Sequence, residues 1–192
     1  MFNLSSDFSL IIHGYGGQGV KTLASLLAEA SINHGLYAQA FPEFGPERRG
    51  APVKAFVRLS GEPISSRSPI ESPNFVIILD LNVLNLEEVR SGWTEDTIFL
   101  VSTSLSPKEI KKKFDLISDY HKINTIDATE ILVDELASVH PSIPILGRFL
   151  GITELIPIDE IKDVLREKFL HKIGEKKMRL TDRVLMESYQ MF

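Results

Sequence analysis

Four glycines lie within six residues, Gly14–Gly19 (GYGGQG), between a short apolar run and a segment with helical periodicity. The apolar run, Phe8–His13 (FSLIIH), is typical of a buried strand. After it, apolar residues repeat at helical spacing to about Asn33, and Gly35 can adopt the left-handed conformation that ends a helix. A strand that turns through glycines into a helix indicates an α/β fold.

The rest of the chain continues this alternation. Strand patterns are found at Tyr37–Phe41, Val53–Leu59, Phe75–Leu79, Thr97–Val101 and Asn124–Asp127. Helical patterns are found at Asn82–Arg90, from Ser106 (a capping box with Glu109), at Thr129–Val139, and at Ile158–Phe169 and Glu175–Gln190. This order predicts a three-layer α/β/α sandwich with a mostly parallel, mixed sheet. We expect a single domain over residues 1–192, with the C-terminal helices 158–190 packed on it.

One part of the sheet is expected to be antiparallel to the other strands. The sequence predicts an antiparallel excursion around residues 53–66, in which Pro63-Ile64 begins a short returning strand after the turn at Ser60-Gly61.

The composition excludes several classes of function. The chain has no cysteine, so it cannot itself hold an iron–sulfur cluster, a disulfide or a catalytic thiol. Its five histidines show no metal-ligand spacing, and it has no hydrolase nucleophile motif, so we expect no metal and no catalytic residue. A net charge of −5 gives no reason to expect nucleic acid or membrane as a partner. Without a signal sequence or an apolar run long enough for a membrane span, we expect a cytoplasmic protein.

The glycine segment matches GxGxxG in a suitable context, which favours contact with an anion or a nucleotide-like ligand. The alternative is a tight turn that binds nothing. A phosphate-binding P-loop is excluded, because Val20 separates the last glycine from Lys21-Thr22. A dinucleotide fold requires an acidic residue after the second strand, and the nearest candidate is Glu43.

A second unusual segment is FPEFGPERRGAP, residues 41–52. Its prolines and glycines predict a rigid loop, in which Arg48 and Arg49 can present guanidinium groups to a phosphate or carboxylate. Two alternatives stay open. The segment could be a subunit interface, or Glu47 could neutralise one arginine while the other is solvated. Asp80 and Asp127, at strand ends, are expected to cap the helices that follow them.

Taken together, these motifs resemble the gamma subunit of 2-oxoacid:ferredoxin oxidoreductases, most closely the pyruvate or 2-ketoisovalerate type. The likeness is carried by the glycine segment with VKTLASLLAEA, by YAQAFPEFGPERRGAPVKAFVRL, by FVIILD and by Ile143–Gly147. It covers essentially the whole chain. One departure is Pro141-Ser142-Ile143-Pro144, where the relatives usually carry an Asn-Thr pair.

The resemblance implies a non-redox subunit, not catalytic alone, of an enzyme that oxidatively decarboxylates a 2-oxoacid to acyl-coenzyme A and CO2 and reduces ferredoxin. Thiamine diphosphate, Mg²⁺ and [4Fe–4S] clusters would lie in alpha, beta and delta partner subunits, and ferredoxin would be met indirectly. This chain would help to bind coenzyme A and hold the complex together. Its candidate contacts are Gly14, Gly16, Gly17, Gln18, Gly19, Glu47, Arg48 and Arg49. The competing hypothesis is a free-standing NAD(P)-binding oxidoreductase.

Overall fold

The protein folds around a six-stranded mixed sheet in the order β2-β3-β1-β4-β5-β6. The structure is a computed structural model that describes residues 7–43, 51–116, 119–133 and 139–191. The strands are β1 Phe8–Tyr15, β2 Tyr37–Pro42, β3 Pro52–Ser60, β4 Phe75–Ile78, β5 Ile98–Ser102 and β6 Ile123–Ile126. β1, β4, β5 and β6 are parallel, and β3 is antiparallel to both of its neighbours, β1 and β2.

Helices cover both faces of this sheet. They are α1 Val20–Asn33, α2 Pro107–Phe114, α3 Ala128–Ile131, α4 Ser142–Thr153 and α5 Ile158–Tyr189, with short 3-10 helices at Leu81–Asn85, Glu87–Arg90 and Tyr120–Lys122. The larger core joins α1, α4 and α5 to one face of the sheet, and a smaller core joins α2 and the first two 3-10 helices to the other. The predicted three-layer α/β sandwich is therefore confirmed.

The larger core is centred on aromatic contacts between the sheet and α4. Phe75 of β4 and Phe149 of α4 are fully buried, with ring centroids 5.1 Å apart in an edge-to-face arrangement. Phe8 of β1 packs on Phe149 at 6.3 Å. Burial of one such side chain stabilises the fold by about 1.5–3 kcal/mol. These contacts fix α4 across the middle of the sheet.

The segment labelled α5 is a helical hairpin. Gly174 has φ 76° and ψ 164°, which interrupts the helix. The Arg166 guanidinium donates to Asp182 at 2.6 Å, although sixteen residues would span about 24 Å in a continuous helix. The two halves therefore pack antiparallel to each other. They correspond to the two helical segments predicted at the C-terminus.

Several local predictions are confirmed. Gly35 has φ +88°, and the backbone N–H groups of Gly35 and Leu36 donate to Ile32 and Ser31, which closes α1 in a Schellman motif. Ser106 and Glu109 form the predicted capping box.

None of the helices in the described part of the chain is long and apolar enough to cross a membrane.

Three local predictions need correction. Residues 63–66 do not form a returning strand: the antiparallel excursion consists of β3 alone. The segment Asn82–Arg90 forms two 3-10 helices rather than one α-helix, because Leu86 has an extended backbone between them. The helix predicted at Thr129–Val139 is observed only as Ala128–Ile131, and residues 134–138 lie outside the described residues.

Candidate functional site

The glycine segment forms the turn between β1 and α1 at the carboxyl edge of the parallel strands, where ligands of such sheets bind. Gly17 and Gly19 have φ +98° and +90°, a region that favours glycine. A Cβ on Gly14 would lie 2.9 Å from Val20 Cγ2 and 3.2 Å from Leu79 Cβ. Gly14 therefore allows α1 to approach the strands closely, and Gly17 and Gly19 allow the turn.

The turn presents the N-terminus of α1 without an acidic cap. The N-cap residue, Gly19, has no side chain, and the first turn carries no acidic residue. The first intrahelical hydrogen bond runs from Leu23 N–H to Gly19 O. A Cβ on Gly17 would meet no heavy atom within 4 Å, so the surface of the turn is open. This geometry suits an anion beside the helix N-terminus.

The side chain of Gln18 holds the turn in shape. Its Oε1 accepts a hydrogen bond from Tyr15 N–H at 2.7 Å, and its Nε2 donates to Asp80 Oδ2 at 2.9 Å. Asp80 also accepts from Asn82 N–H at 2.9 Å, as the cap of the first 3-10 helix. Gln18 therefore links the turn to the end of β4, and its predicted contact with a ligand stays a prediction.

The structure brings one flank of the arginine segment to the glycine turn. Gly16 N–H donates to Ala51 O at 3.0 Å, one step beyond the pairing of Tyr15 with Pro52. The other flank, Glu43, continues the pairing of β2 with β3, and its carboxylate contacts Lys54 Nζ at 2.6 Å. Both flanks lie at the edge that carries the glycine turn. Glu47, Arg48 and Arg49 lie outside the described residues.

His140, which the sequence analysis did not single out as a candidate, lies against the glycine turn. A Cβ on Gly19 would be 2.7 Å from His140 Cε1. His140 Nδ1 is 2.9 Å from Ser142 Oγ and accepts from Ser142 N–H at 3.3 Å, so the neutral ring carries its proton on Nε2. Burial, and secondarily Lys177, lowers its pKa. The only local signal is a serine two residues further on; the contact with Gly19 is not visible in the sequence.

A second histidine lies beneath this edge, on the sheet face opposite α1. His13 is 4% exposed, and its Nε2 has no hydrogen-bond partner in the described part of the protein. Burial, followed by the charge of Lys54, lowers the pKa of His13 to about 3. The ring is therefore neutral at physiological pH.

The two aspartates at strand ends act as caps, as expected. Asp80 is described above, and Asp127 Oδ1 accepts from Thr129 N–H and Glu130 N–H, both at 3.0 Å. Within residues 7–43, 51–116, 119–133 and 139–191, no group of three or more histidines and carboxylates is placed to hold a metal ion.

Comparison with known proteins identifies relatives over nearly the whole chain. The sequence profile of the pyruvate ferredoxin/flavodoxin oxidoreductase family matches residues 9–185. The pyruvate synthase subunit PorC of Methanothermobacter marburgensis is 42% identical over 164 residues, which are 85% of this chain and 88% of that protein. The common gamma subunit of the pyruvate/ketoisovalerate oxidoreductases of Pyrococcus abyssi is 38% identical over 180 residues, 94% of this chain and 96% of that one.

Solved structures show the same fold. The pyruvate oxidoreductase subunit PORC of Thermotoga maritima aligns with a TM-score of 0.81 at 31% identity, covering 96% of both chains. A 2-oxoglutarate:ferredoxin oxidoreductase from Magnetococcus marinus, solved with 2-oxoglutarate, coenzyme A and succinyl-CoA bound, aligns with a TM-score of 0.73 at 18% identity. That match covers 95% of this chain and 30% of the other, and at this low identity it shows the fold alone.

Proposed function

The chain belongs to the pyruvate ferredoxin/flavodoxin oxidoreductase family, as a gamma-type subunit, and we propose that it helps to bind coenzyme A in the assembled enzyme. The observation that supports this most directly is the hydrogen bond from Gly16 to Ala51, which joins the glycine turn to the flank of the arginine segment. The glycine turn and the described flanks of the arginine segment therefore lie at one edge, which supports a shared anion site.

Coenzyme A has two separate phosphate groups that such an edge can bind. The pyrophosphate would lie beside the N-terminus of α1, against the turn of Gly14, Gly16, Gly17 and Gly19 that Gln18 holds in shape. Because Gly16 N–H is bonded to Ala51, the donors would be the N–H groups of Gly17 and Gly19. Arg48 and Arg49 would bind the 3′-phosphate as bidentate donors, with Glu47 orienting one of them. When bound, coenzyme A supplies the thiol that accepts the acyl group. This chain's residues bind and orient it.

The electron-transfer parts are assigned to other subunits. Because no cysteine is present in the 192 residues, this chain cannot ligate a [4Fe–4S] cluster through thiolates. We assign the clusters, thiamine diphosphate and Mg²⁺ to alpha, beta and delta partners, and ferredoxin would contact those partners. The proposed complex works in the cytoplasm on pyruvate or a related 2-oxoacid.

The sheet order disfavours the alternative of a free-standing NAD(P)-binding oxidoreductase. In a dinucleotide-binding fold, β2 lies beside β1, and the acidic residue at its end reaches the ribose. Here β3 separates β2 from β1, so Glu43 lies two strand spacings, about 10 Å, from β1. Glu43 is also paired with Lys54. The family match likewise gives the nicotinamide alternative no support.

Kinetics of the assembled enzyme test the coenzyme A proposal. Replacing Arg48 and Arg49 with alanine removes charge-assisted hydrogen bonds worth about 1.5–3 kcal/mol each. We expect the KM for coenzyme A to rise roughly 10-fold or more, with the KM for the 2-oxoacid unchanged. The matched control is Arg67→Ala, because Arg67 is exposed in the loop between β3 and β4, which starts and ends at the edge of the sheet away from the glycine turn.

An unchanged KM for coenzyme A in an intact Arg48→Ala/Arg49→Ala complex would refute the assignment of these two arginines. A similar rise in the Arg67→Ala complex would show that any loss of positive charge has this effect.

A further inference from the structure

The outer edge of β2 is open for pairing with another strand. Glu43 N–H donates to Lys54 O at 3.0 Å, which fixes the phase of the antiparallel ladder between β2 and β3. In such a ladder, alternate residues bond to the neighbouring strand, so Ala38 and Ala40 direct their N–H and C=O groups outward. Among the described residues, no backbone hydrogen bond to these outward groups is observed.

Residues 37–41 of this edge lack the features that usually prevent pairing. Proteins protect edge strands with charged residues, proline, short length or coverage. The proline of β2, Pro42, follows these five residues at the end of the strand. β2 (YAQAFP) is uncharged, and none of its residues is fully buried. Tyr37 on the strand is 48% exposed, and Ile32 beside it at the end of α1 is 55% exposed. By contrast, β6, at the other side of the sheet, is four residues long, and both of its terminal isoleucines are buried.

The sequence of β2 is complementary to itself. Residues 37–41 read Tyr-Ala-Gln-Ala-Phe, which is symmetric by residue type about Gln39. We propose that β2 pairs antiparallel with β2 of a second copy of this chain, across a two-fold axis at Gln39. This inference is independent of coenzyme A binding.

The hydrogen-bonding pattern of the β2–β3 ladder is compatible with a two-fold axis at Gln39. With Gln39 opposite its copy, Ala38 of one chain lies opposite Ala40 of the other, and these are the residues whose backbone groups point outward. The pairing therefore forms four backbone hydrogen bonds. Tyr37 lies opposite Phe41 of the second copy, which gives an aromatic cross-strand pair on the face away from α1.

Packing of the two α1 helices adds buried surface area to the small area that two paired strands bury. α1 packs over β2 and β3 to similar extents. With strands about 4.8 Å apart, the two-fold axis brings the two copies of α1 to about 10 Å, a normal distance for packed helices. The surface between α1 and β2 is a groove of about 370 Å³. Small residues such as Ala24, Ala28 and Ala40 line its floor, and the charged side chains of Lys21 and Glu29 also border it.

The second copy fills this groove. Because α1 is antiparallel to β2, the rotation brings the exposed Ile32 of each chain toward the N-terminal half of the other chain's α1. A specific interface buries at least roughly 1,200 Å², so contact between the two α1 helices is a required part of the proposed dimer.

The first test is the mass of the full-length chain in solution, measured by light scattering and sedimentation. We expect a dimer of two 21.5 kDa chains. Ile32→Lys is expected to shift it to a monomer, because it places a charge in the interface. The matched control is Val133→Lys, since Val133 is 53% exposed and follows α3 rather than β2. A monomeric wild-type chain, or a dimer that responds equally to both substitutions, would overturn the proposal.

The second test uses the absence of cysteine, which makes a single introduced thiol diagnostic. Paired residues on the axis have Cα atoms about 4.5 Å apart, within disulfide range. Gln39→Cys is therefore expected to form a disulfide-linked dimer under mild oxidation, whereas Val133→Cys is not. The same variant in the assembled enzyme should link two copies of this chain. A cross-link to a different subunit would assign the edge to a heterologous strand and contradict the proposal.

Discussion

The backbone N–H of Gly16 donates a 3.0 Å hydrogen bond to the carbonyl of Ala51. The two residues are thirty-five positions apart, yet this bond extends the β1–β3 ladder by one step. It joins the turn that opens α1 to the end of the arginine segment. The ladder that shapes the sheet therefore also brings the glycine turn and the described flanks of the arginine segment to one edge.

Gly19 is expected to tolerate alanine less well than Gly35. Both have φ near +90°, which costs a residue with a side chain about 1–2 kcal/mol. A Cβ at Gly35 meets open space, but one at Gly19 lies 2.7 Å from His140 Cε1. Urea unfolding should therefore show a larger loss of stability for Gly19→Ala, and adding His140→Ala should recover the difference. Equal losses of stability for the two variants would show that His140 moves away from the new Cβ without destabilising the protein.

Gln18→Glu is expected to destabilise the turn by placing a carboxylate against Asp80. The hydrogen bond from Gln18 Nε2 to Asp80 Oδ2 would become a repulsion between like charges. We expect a loss of about 1.5–3 kcal/mol at neutral pH, measured as the free energy of unfolding. Gln18→Glu combined with Asp80→Asn should restore most of it, because the new amide donates to the new carboxylate. No recovery in the double variant would contradict this account.

Gly147→Ala is expected to destabilise the protein, although alanine favours helices by about 1 kcal/mol over glycine. A Cβ on Gly147 would collide with the carbonyl oxygen of Leu185 in α5, and one on Gly151 with that of Tyr189. Forcing the helices apart costs about 1–3 kcal/mol. Thermal unfolding gives the sign directly. A higher Tm for Gly147→Ala would show that α4 and α5 are not in such close contact.

His13 is expected to make folding stability depend on pH. Its pKa falls from 6.5 to about 3 on folding, so below pH 6.5 the unfolded chain binds a proton that the folded chain does not. The stability present above that pH is therefore lost as the pH falls, by up to about 1.4 kcal/mol per pH unit. Urea unfolding between about pH 7 and 5 tests this, since most carboxylates titrate lower. His13→Leu should reduce the dependence and leave the part due to His140, whose pKa is also lowered by burial. Parallel curves for both proteins would exclude His13 as a source.

Features governed by local sequence were predictable. The helix stop at Gly35, the capping box at Ser106 and the caps at Asp80 and Asp127 each depend on residues within one turn of one another. The glycine turn was predicted for the same reason. The prediction of one helix at residues 82–90 was wrong. The periodicity of these residues is compatible with a helix, but the extended backbone of Leu86 divides the segment into two 3-10 helices.

Features governed by distant contacts were not predictable. Nothing near His140 in the sequence indicates that it packs on Gly19, and nothing near His13 indicates that its ring is buried beside Lys54. The insertion of β3 between β2 and β1 likewise depends on pairing across about forty-five residues. The sequence predicted an antiparallel excursion in this region but not its place in the sheet.

The position of β1 has a consequence for synthesis on the ribosome. β1 is made first, but both of its neighbours, β3 and β4, are made later, and β4 ends at Ile78. The contact of Gly19 with His140 requires still more of the chain. Non-local pairing of this kind slows folding. The glycine turn is therefore complete only when most of the subunit has been synthesised, so a subunit truncated before His140 would lack the contacts that finish this turn.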